Sequence, residues 1–134
     1  MLEKTLAGIK PDGFEMGVTE QIKARYVTAG LRIVREKTKV FTKSEAQEFY
    51  LEHVGKCFFI GAVLSMASGP SVWLVLEGEN AINTVRALNG ATNPAEAAPG
   101  TIRRDFRSAG GPFNTVHGSA DSKAFLLEEE IAFR

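Results

Sequence analysis

The sequence lacks the features that mark several broad classes of protein. Its 134 residues include a single cysteine, Cys57, which excludes a disulfide framework or a zinc cluster within the chain and suits a reducing compartment. Neither sign of charge is in excess, because 16 Lys and Arg side chains are matched by 16 Asp and Glu. That balance argues against bulk electrostatic binding to nucleic acid, whereas a few basic side chains can still converge on a small anion.

Long hydrophobic runs are also absent, and apolar stretches such as residues 72–76 are far too short to span a bilayer. The first residues enter a strand-like pattern at once, so we expect no signal peptide. The chain contains no Walker-type phosphate loop, no G-x-G-x-x-G motif after its first strand, no protein-kinase catalytic loop and no G-x-S-x-G elbow. We therefore expect a cytoplasmic protein with one domain, residues 1–134, and no membrane partner.

Apolar periodicity and turn residues predict alternating strands and helices. Strands are expected over residues 2–9, 31–41, 71–77 and 115–116. Helices are expected over residues 18–29, 44–53, 58–66 and 80–89, and from 121 or 122 to about 133. Ser44 and Gln47 match a capping box at the start of the second helix, and residues 10–13 are typical of a turn.

The order of these elements favours a ferredoxin-like α+β sandwich, in which helices pack on a four-stranded antiparallel sheet. Residues 91–114 do not fit the pattern, because they are rich in Pro and Gly and contain three arginines within five residues. A loop of that length is most often functional or disordered. The interleaved Ile102 and Phe106 favour an ordered, functional loop, since disordered segments are poor in such side chains.

The two histidines are the first candidates for chemistry. His117 follows the arginine-bearing loop at the end of a predicted strand. A neutral imidazole there can attack phosphorus with help from nearby cations, but a structural histidine at a strand end fits the same position, and spacing alone favours it. His53 follows Tyr50 by three residues, which places both on one face of the predicted helix. A polar residue at a helix end is a simpler interpretation of His53 than a ligand-binding role.

Lys10 and Cys57 have equally simple interpretations. Lys10 ends the first strand, where its cation can reach a ligand over the sheet edge or remain solvated. Cys57 stands beside two phenylalanines, which predicts a small core residue rather than a nucleophile.

Five motifs strongly resemble those of nucleoside diphosphate kinases. In this sequence they are Ile9-Lys-Pro-Asp-Gly13, Gly90-Ala-Thr-Asn-Pro-Ala95, Pro99-Gly-Thr-Ile-Arg103, Asp105-Phe106 and Asn114-x-x-His-Gly-Ser119. Matches follow the family's order from about residue 6 to residue 131. The resemblance implies the ferredoxin-like core and transfer of the γ-phosphate of a nucleoside triphosphate, usually ATP, to a nucleoside diphosphate by a ping-pong route.

The resemblance also implies roles for individual residues. It makes His117 the nucleophile that carries the phosphoryl group as phosphohistidine. Residues matching groups around the transferred phosphate and the ribose are Lys10, Tyr50, Arg103 and Asn114; residues matching other phosphate contacts are His53, Arg86 and Thr92. Phe58 matches the aromatic that stacks on the base, and Ser119 with a glutamate of the last helix matches the pair that orients the imidazole. Mg²⁺ is expected to enter with the nucleotide phosphates.

Several positions depart from the family pattern. The stretch from Arg103 to His117 is one residue longer than usual, and Ala109 is a weak candidate for the side chain that covers the other face of the base. After Ser119 the family usually has Asp, but this sequence has Ala120 and places Asp121 one residue later. The sequence therefore does not settle whether Asp121 assists magnesium through a water molecule. Two glutamates compete to orient His117: counting along the chain selects Glu128, whereas aligning the Glu-Ile pair selects Glu130, which we prefer.

The resemblance implies nucleoside tri- and diphosphates as partners and a homo-oligomer, either a hexamer or a tetramer. A scaffolding or nucleotide-binding homologue without phosphotransfer is disfavoured, because the site residues are retained together. An RNA-binding ferredoxin-like module is disfavoured because the sequence has no aromatic strand motif of that kind and no net charge.

Overall fold

The computed structural model describes residues 2–108 and 113–134, and the predicted alternation of strands and helices is present there. The strands are β1 (Leu2–Ile9), β2 (Arg32–Lys39), β3 (Ser71–Glu79) and β4 (Val116–Gly118). The α-helices are α1 (Pro11–Glu15), α2 (Thr19–Thr28), α3 (Lys43–Phe49), α4 (Phe59–Met66), α5 (Ala81–Asn89), α6 (Ile102–Asp105) and α7 (Ser122–Ala132). A 3-10 turn, Leu51–His53, follows α3.

The strands form one antiparallel sheet in the order β2-β3-β1-β4. This order, with helices packed on the sheet, confirms the predicted ferredoxin-like α+β architecture. Gly8 of β1 lies opposite Trp73 of β3 on one side and opposite His117 of β4 on the other. A side chain at position 8 is excluded, because a Cβ there would lie 2.3 Å from the Trp73 ring. The glycine therefore lets the indole lie across β1 and reach the His117 ring, whose centroid is 5.8 Å from that of Trp73.

Buried side chains lie on both faces of the sheet, because successive residues of a strand point to opposite sides. On one face, Ile9 and Leu74 pack with Ile22 of α2 and Val85 of α5. On the other face, the apolar cluster joins β1 and β3 to α3, α4 and α7, and its members include Leu6, Phe49, Val63, Trp73 and Phe125. Burial on both faces explains why β3 is an almost unbroken apolar run.

Three local predictions need correction. The capping box of α3 is formed by Thr42 and Glu45, each side chain accepting from the other's backbone N–H, and not by Ser44 and Gln47. Residues 10–13 open helix α1, with Pro11 at its first position, where a missing N–H has no cost. The Pro- and Gly-rich stretch contains α6, which buries Ile102 completely.

No helix within residues 2–108 and 113–134 combines the length and apolar character needed to cross a membrane.

Candidate active site

A cleft of about 1200 Å³ opens beside the edge strand β4. It collects residues from the end of β1, where Lys10 follows the strand, and from α3, the 3-10 turn, α4, α5, α6, β4 and α7. Nine of the residues that the motifs singled out line it: Lys10, Tyr50, His53, Phe58, Arg86, Thr92, Arg103, Asn114 and His117. The fold therefore brings together positions that are more than 100 residues apart in the chain.

The His117 ring is held on one side and packed on the other. Its Nε2 lies 2.9 Å from Oε1 of Glu128 on α7. The Phe49 and Trp73 rings pack against the imidazole, with centroids 5.0 and 5.8 Å away. The side chain is only 16% exposed, so its orientation is set by the protein rather than by solvent.

Ser119 completes the support of this ring. Its hydroxyl is fully buried and donates to the same oxygen of Glu128 at 2.7 Å. Burial alone would raise the pKa of Glu128, but the charge of His117 and the hydrogen bonds from His117 and Ser119 outweigh it and lower that pKa. An ionised carboxylate only accepts hydrogen bonds, so the proton shared with Glu128 belongs to Nε2 of the imidazole.

Lys10 projects into the cleft from the end of β1. Its ammonium donates to Oδ1 of Asn114 at 2.7 Å and lies 6.0 Å from the centroid of the Tyr50 ring. Burial, followed by the positive charge of Arg103, lowers the pKa of Lys10 to about 8, and Asp12 partly opposes the shift. Its charge therefore depends on pH close to neutrality.

Arg103 links three backbone carbonyls at the cleft. Its guanidinium donates to the carbonyls of Gly90, Asn114 and Val116 at 2.9, 3.3 and 2.8 Å. It therefore ties the end of α5 to the segment that precedes His117. A guanidinium carries five N–H donors, so these three bonds leave others for a ligand.

Arg86 and Thr92 lie on the same side of the cleft as Arg103. Arg86 is exposed on α5 and donates to the carbonyl of Ala120 at 3.3 Å. The carbonyl of Thr92 accepts from the Asn114 amide at 3.2 Å. Lys10, Arg86 and Arg103 place three cations in the lining of this cleft, in a protein with no net charge.

The opposite end of the cleft is aromatic. Phe58 is 47% exposed, and its ring centroid lies 5.1 Å from that of His53. His53 is engaged by Lys56 through Nδ1 at 3.0 Å and by Glu52 through Nε2 at 3.4 Å. An exposed aromatic ring at one end of a basic cleft suits stacking on the base of a nucleotide whose phosphates lie near the cations.

The comparison with known proteins agrees with this geometry. The sequence profile of the nucleoside diphosphate kinase family matches residues 3–134. A nucleoside diphosphate kinase of Methanosarcina barkeri (strain Fusaro / DSM 804) is 44% identical over 133 residues, which cover 99% of this chain and 89% of that protein. The chain belongs to the nucleoside diphosphate kinase family. It is therefore an enzyme, a phosphotransferase that moves the γ-phosphate of a nucleoside triphosphate to a nucleoside diphosphate.

Solved structures of nucleoside diphosphate kinases have the same fold. An orthorhombic crystal form of the Aquifex aeolicus enzyme superposes with a TM-score of 0.94 at 38% identity, covering 100% of this chain and 96% of that one. A transition-state mimic of the Borrelia burgdorferi enzyme, with bound vanadate and ADP, superposes with a TM-score of 0.93 at 31% identity, covering 99% and 88%.

The preference for Glu130 as the carboxylate that orients His117 is wrong. Glu128 binds both His117 and Ser119, whereas Glu130 is 64% exposed and pairs with Arg134 at 2.7 Å. Two positions along a helix differ by roughly 200° around its axis, so the two glutamates point in nearly opposite directions. Counting along the chain from His117 therefore identifies the orienting glutamate, whereas alignment of the Glu-Ile pair does not.

Members of this kinase family require a divalent cation. No cluster of three or more His, Cys, Asp or Glu side chains that might enclose a metal occurs in the described part of the chain. Asp121 accepts from the backbone N–H of Ala124 at 2.8 Å and so caps α7. With so few carboxylate or imidazole ligands grouped together in the described residues, the site suits a cation that arrives bound to nucleotide phosphates better than one enclosed by protein ligands.

The sequence was less informative about four other positions. Cys57 is exposed rather than buried, so its predicted role as a core residue is wrong. Ala109 lies outside the described residues. The sequence did not identify Phe49 and Trp73 as residues that pack on the His117 ring. Their apolar side chains, one in a helix and one in a strand, fit the same hydrophobic pattern as any other core residue.

Proposed function

We propose that His117 is the nucleophile of a ping-pong phosphotransfer and carries the phosphoryl group as a phosphohistidine. The observation that supports this most directly is the bond from Nε2 to Glu128, because it leaves the lone pair of Nδ1 for attack on phosphorus. Nδ1 takes up the phosphoryl group as the bond to the departing nucleoside diphosphate breaks. The second nucleoside diphosphate reverses the step, and one site serves both substrates in turn.

We further propose that Lys10, Arg86, Arg103, Thr92, Asn114 and Tyr50 hold the transferred phosphoryl group, the neighbouring phosphates and the ribose. Their convergence in one cleft supports this, since the developing negative charge on phosphoryl oxygens is stabilised by preorganised cations and donors. Burial, and then the negative charges of Glu128 and Asp12, raise the pKa of Tyr50 well above its usual value, so its hydroxyl remains a donor at neutral pH.

Phe58 would stack on the base, with His53 beside it near the α-phosphate. Stacking needs only a π-face, so this contact accepts different bases. In support, the Borrelia burgdorferi relative was solved with ADP.

We propose Mg²⁺ as the divalent cation, held mainly by the phosphates, with a water-mediated contact from Asp121, which follows the cleft-lining residue Ala120. Bound Mg²⁺ supplies neutralisation of phosphate charge. The protein residues then hold the nucleotide, orient the imidazole and keep its proton on Nε2.

The remaining proposals concern the chain as a whole. We propose that residues 1–134 form a single domain that assembles as a hexamer or tetramer in the cytoplasm, without nucleic-acid or membrane partners. Exposed Leu126 and Leu127 on α7, 65% and 62% accessible, are suitable material for contacts between subunits. The exposed thiol of Cys57 suits a reducing compartment. Solution mass measurement tests the assembly.

The decisive experiment uses the fact that the chain has only two histidines. The protein is incubated with γ-labelled ATP and Mg²⁺, and label that survives base but not acid is measured. We expect such label in the native protein and in His53→Gln, its loss in His117→Gln, and its discharge by added GDP. Label retained in His117→Gln, or no label in correctly folded native protein, would contradict the proposal. The latter outcome would favour the nucleotide-binding scaffold.

A further inference from the structure

Thr115, two residues before His117, has an unusual backbone conformation. Its φ is +70°, a region that a β-branched residue rarely adopts. The N–H of Val116 donates to the carbonyl of Asn114 at 2.7 Å, so the chain makes a γ-turn centred on Thr115. Such a conformation persists only where the surroundings hold it in place.

Asp12 is the side chain that holds this turn. Its Oδ2 accepts from the backbone N–H of Thr115 at 2.9 Å and from the hydroxyl of Ser108 at 2.6 Å. The carbonyl of Thr115 is held from the same segment, since it accepts from the backbone N–H of Lys10 at 2.8 Å. Both peptide groups of the strained residue are therefore fixed by residues 10–12.

The turn determines where its neighbours point. Asn114, before the turn, receives the ammonium of Lys10 on its side-chain oxygen and donates to Thr92. Val116, after the turn, offers its carbonyl to Arg103 at 2.8 Å. His117 follows directly on β4. Relaxation of the turn would therefore move the imidazole and the asparagine relative to the cations of the cleft.

Asp12 also contributes through its charge. Its Oδ1 is buried and, within residues 2–108 and 113–134, has no hydrogen-bond partner. A buried carboxylate is weakly screened by solvent. In agreement, the negative charge of Asp12 partly opposes the lowering of the pKa of Lys10 and adds to the raising of the pKa of Tyr50.

We propose that Asp12 is a positioning residue for phosphoryl transfer: it holds the strained turn at Thr115 in the conformation that places Asn114 and His117 in the cleft. Asp12 does not line the cleft itself and is not a catalytic residue. The inference rests on the proposed role of His117, and the experiment below separates the two.

The test measures phosphohistidine formation in Asp12→Ala and Asp12→Asn, with Ile22→Val as a control. Ile22 is fully buried on α2, away from the cleft, so its truncation lowers stability without touching the site. We expect Asp12→Ala to lower the single-turnover rate and kcat by roughly tenfold to a hundredfold, because misplaced reacting groups are costly. Asp12→Asn should lose less, since a neutral amide oxygen still accepts. The KM for ATP should change by less than about threefold, because Phe58 and Arg86 are held elsewhere.

Thr115→Gly distinguishes positioning from a general loss of stability. Glycine adopts positive φ without strain, so the turn then depends less on Asp12. We expect the fold-loss caused by Asp12→Ala to be clearly smaller in the Thr115→Gly background than in the native one. A native rate in folded Asp12→Ala, an equal loss in both backgrounds, or an equal loss in Ile22→Val would overturn the inference. If the native protein itself takes no label on His117, the proposed function fails instead.

Discussion

Glu128 holds the ring of His117 through Nε2, with 2.9 Å between that nitrogen and Oε1. The bond fixes the tautomer as well as the orientation, because an ionised carboxylate can only accept. A helix at the end of the chain thus determines which nitrogen of an edge-strand histidine is free to react.

Replacing Glu128 by Gln should lower kcat by roughly 5- to 30-fold, because the amide oxygen still accepts from Nε2 but a hydrogen bond to a charged group is about 1–2 kcal/mol stronger than a neutral one. The matched variant is Glu130→Gln, which removes an equivalent charge from an exposed position on the same helix. We expect native kcat in Glu130→Gln. Steady-state kinetics with ATP and a second nucleoside diphosphate provide the measurement. A larger loss of kcat in Glu130→Gln than in Glu128→Gln would show that Glu130, the residue selected by aligning the Glu-Ile pair, orients His117.

Activity should fall as the pH rises through the pKa of Lys10, which lies at about 8. Burial of this ammonium favours its neutral form, and the neutral form no longer attracts phosphate. A profile of kcat/KM against pH should therefore show an alkaline limb near pH 8. In Lys10→Arg the limb should be missing, because arginine stays protonated throughout the range, although the maximum rate falls with the altered geometry. An unchanged limb in Lys10→Arg would assign it to another group.

Phe58→Ala should weaken the binding of ADP, GDP and CDP by similar factors. Loss of one base–aromatic stack costs about 1–3 kcal/mol, or roughly 5- to 150-fold in the dissociation constant. Because Phe58 is 47% exposed, thermal stability should change little. Phe58→Trp keeps a stacking surface and should retain binding. Calorimetric titration with the three nucleotides tests this, and a loss confined to one base would indicate a hydrogen-bonded contact instead.

Thr42→Ala should lower the free energy of unfolding by about 1 kcal/mol, since it removes the side chain that caps α3. Ser44→Ala, two residues along, removes an exposed hydroxyl for which the structure shows no capping bond and should be nearly neutral. Urea denaturation of the two variants and the native protein decides between the caps. Equal losses would mean that both hydroxyls support the helix.

The sequence was most informative where a short motif carries its own chemistry. Lys10, Asn114 and His117 lie in motifs whose residue types suit phosphate, and the structure places all three in one cleft. The strand pattern was equally readable, because β1 and β3 are short apolar runs bounded by turn residues. Prediction was weaker where two nearby residues had the same chemistry, as with Ser44 against Thr42 at a helix start.

The amino-acid sequence by itself determined the family, the alternation of strands and helices, and most of the side chains that the cleft collects. These follow from local pattern and residue type, which need no distances. The tertiary structure alone decided that Glu128 rather than Glu130 supports His117, that Phe49 and Trp73 pack on its ring, and that Asp12 holds the turn before it. Each of these depends on how a helix is rotated or how close two distant segments approach, and packing of the whole chain sets both.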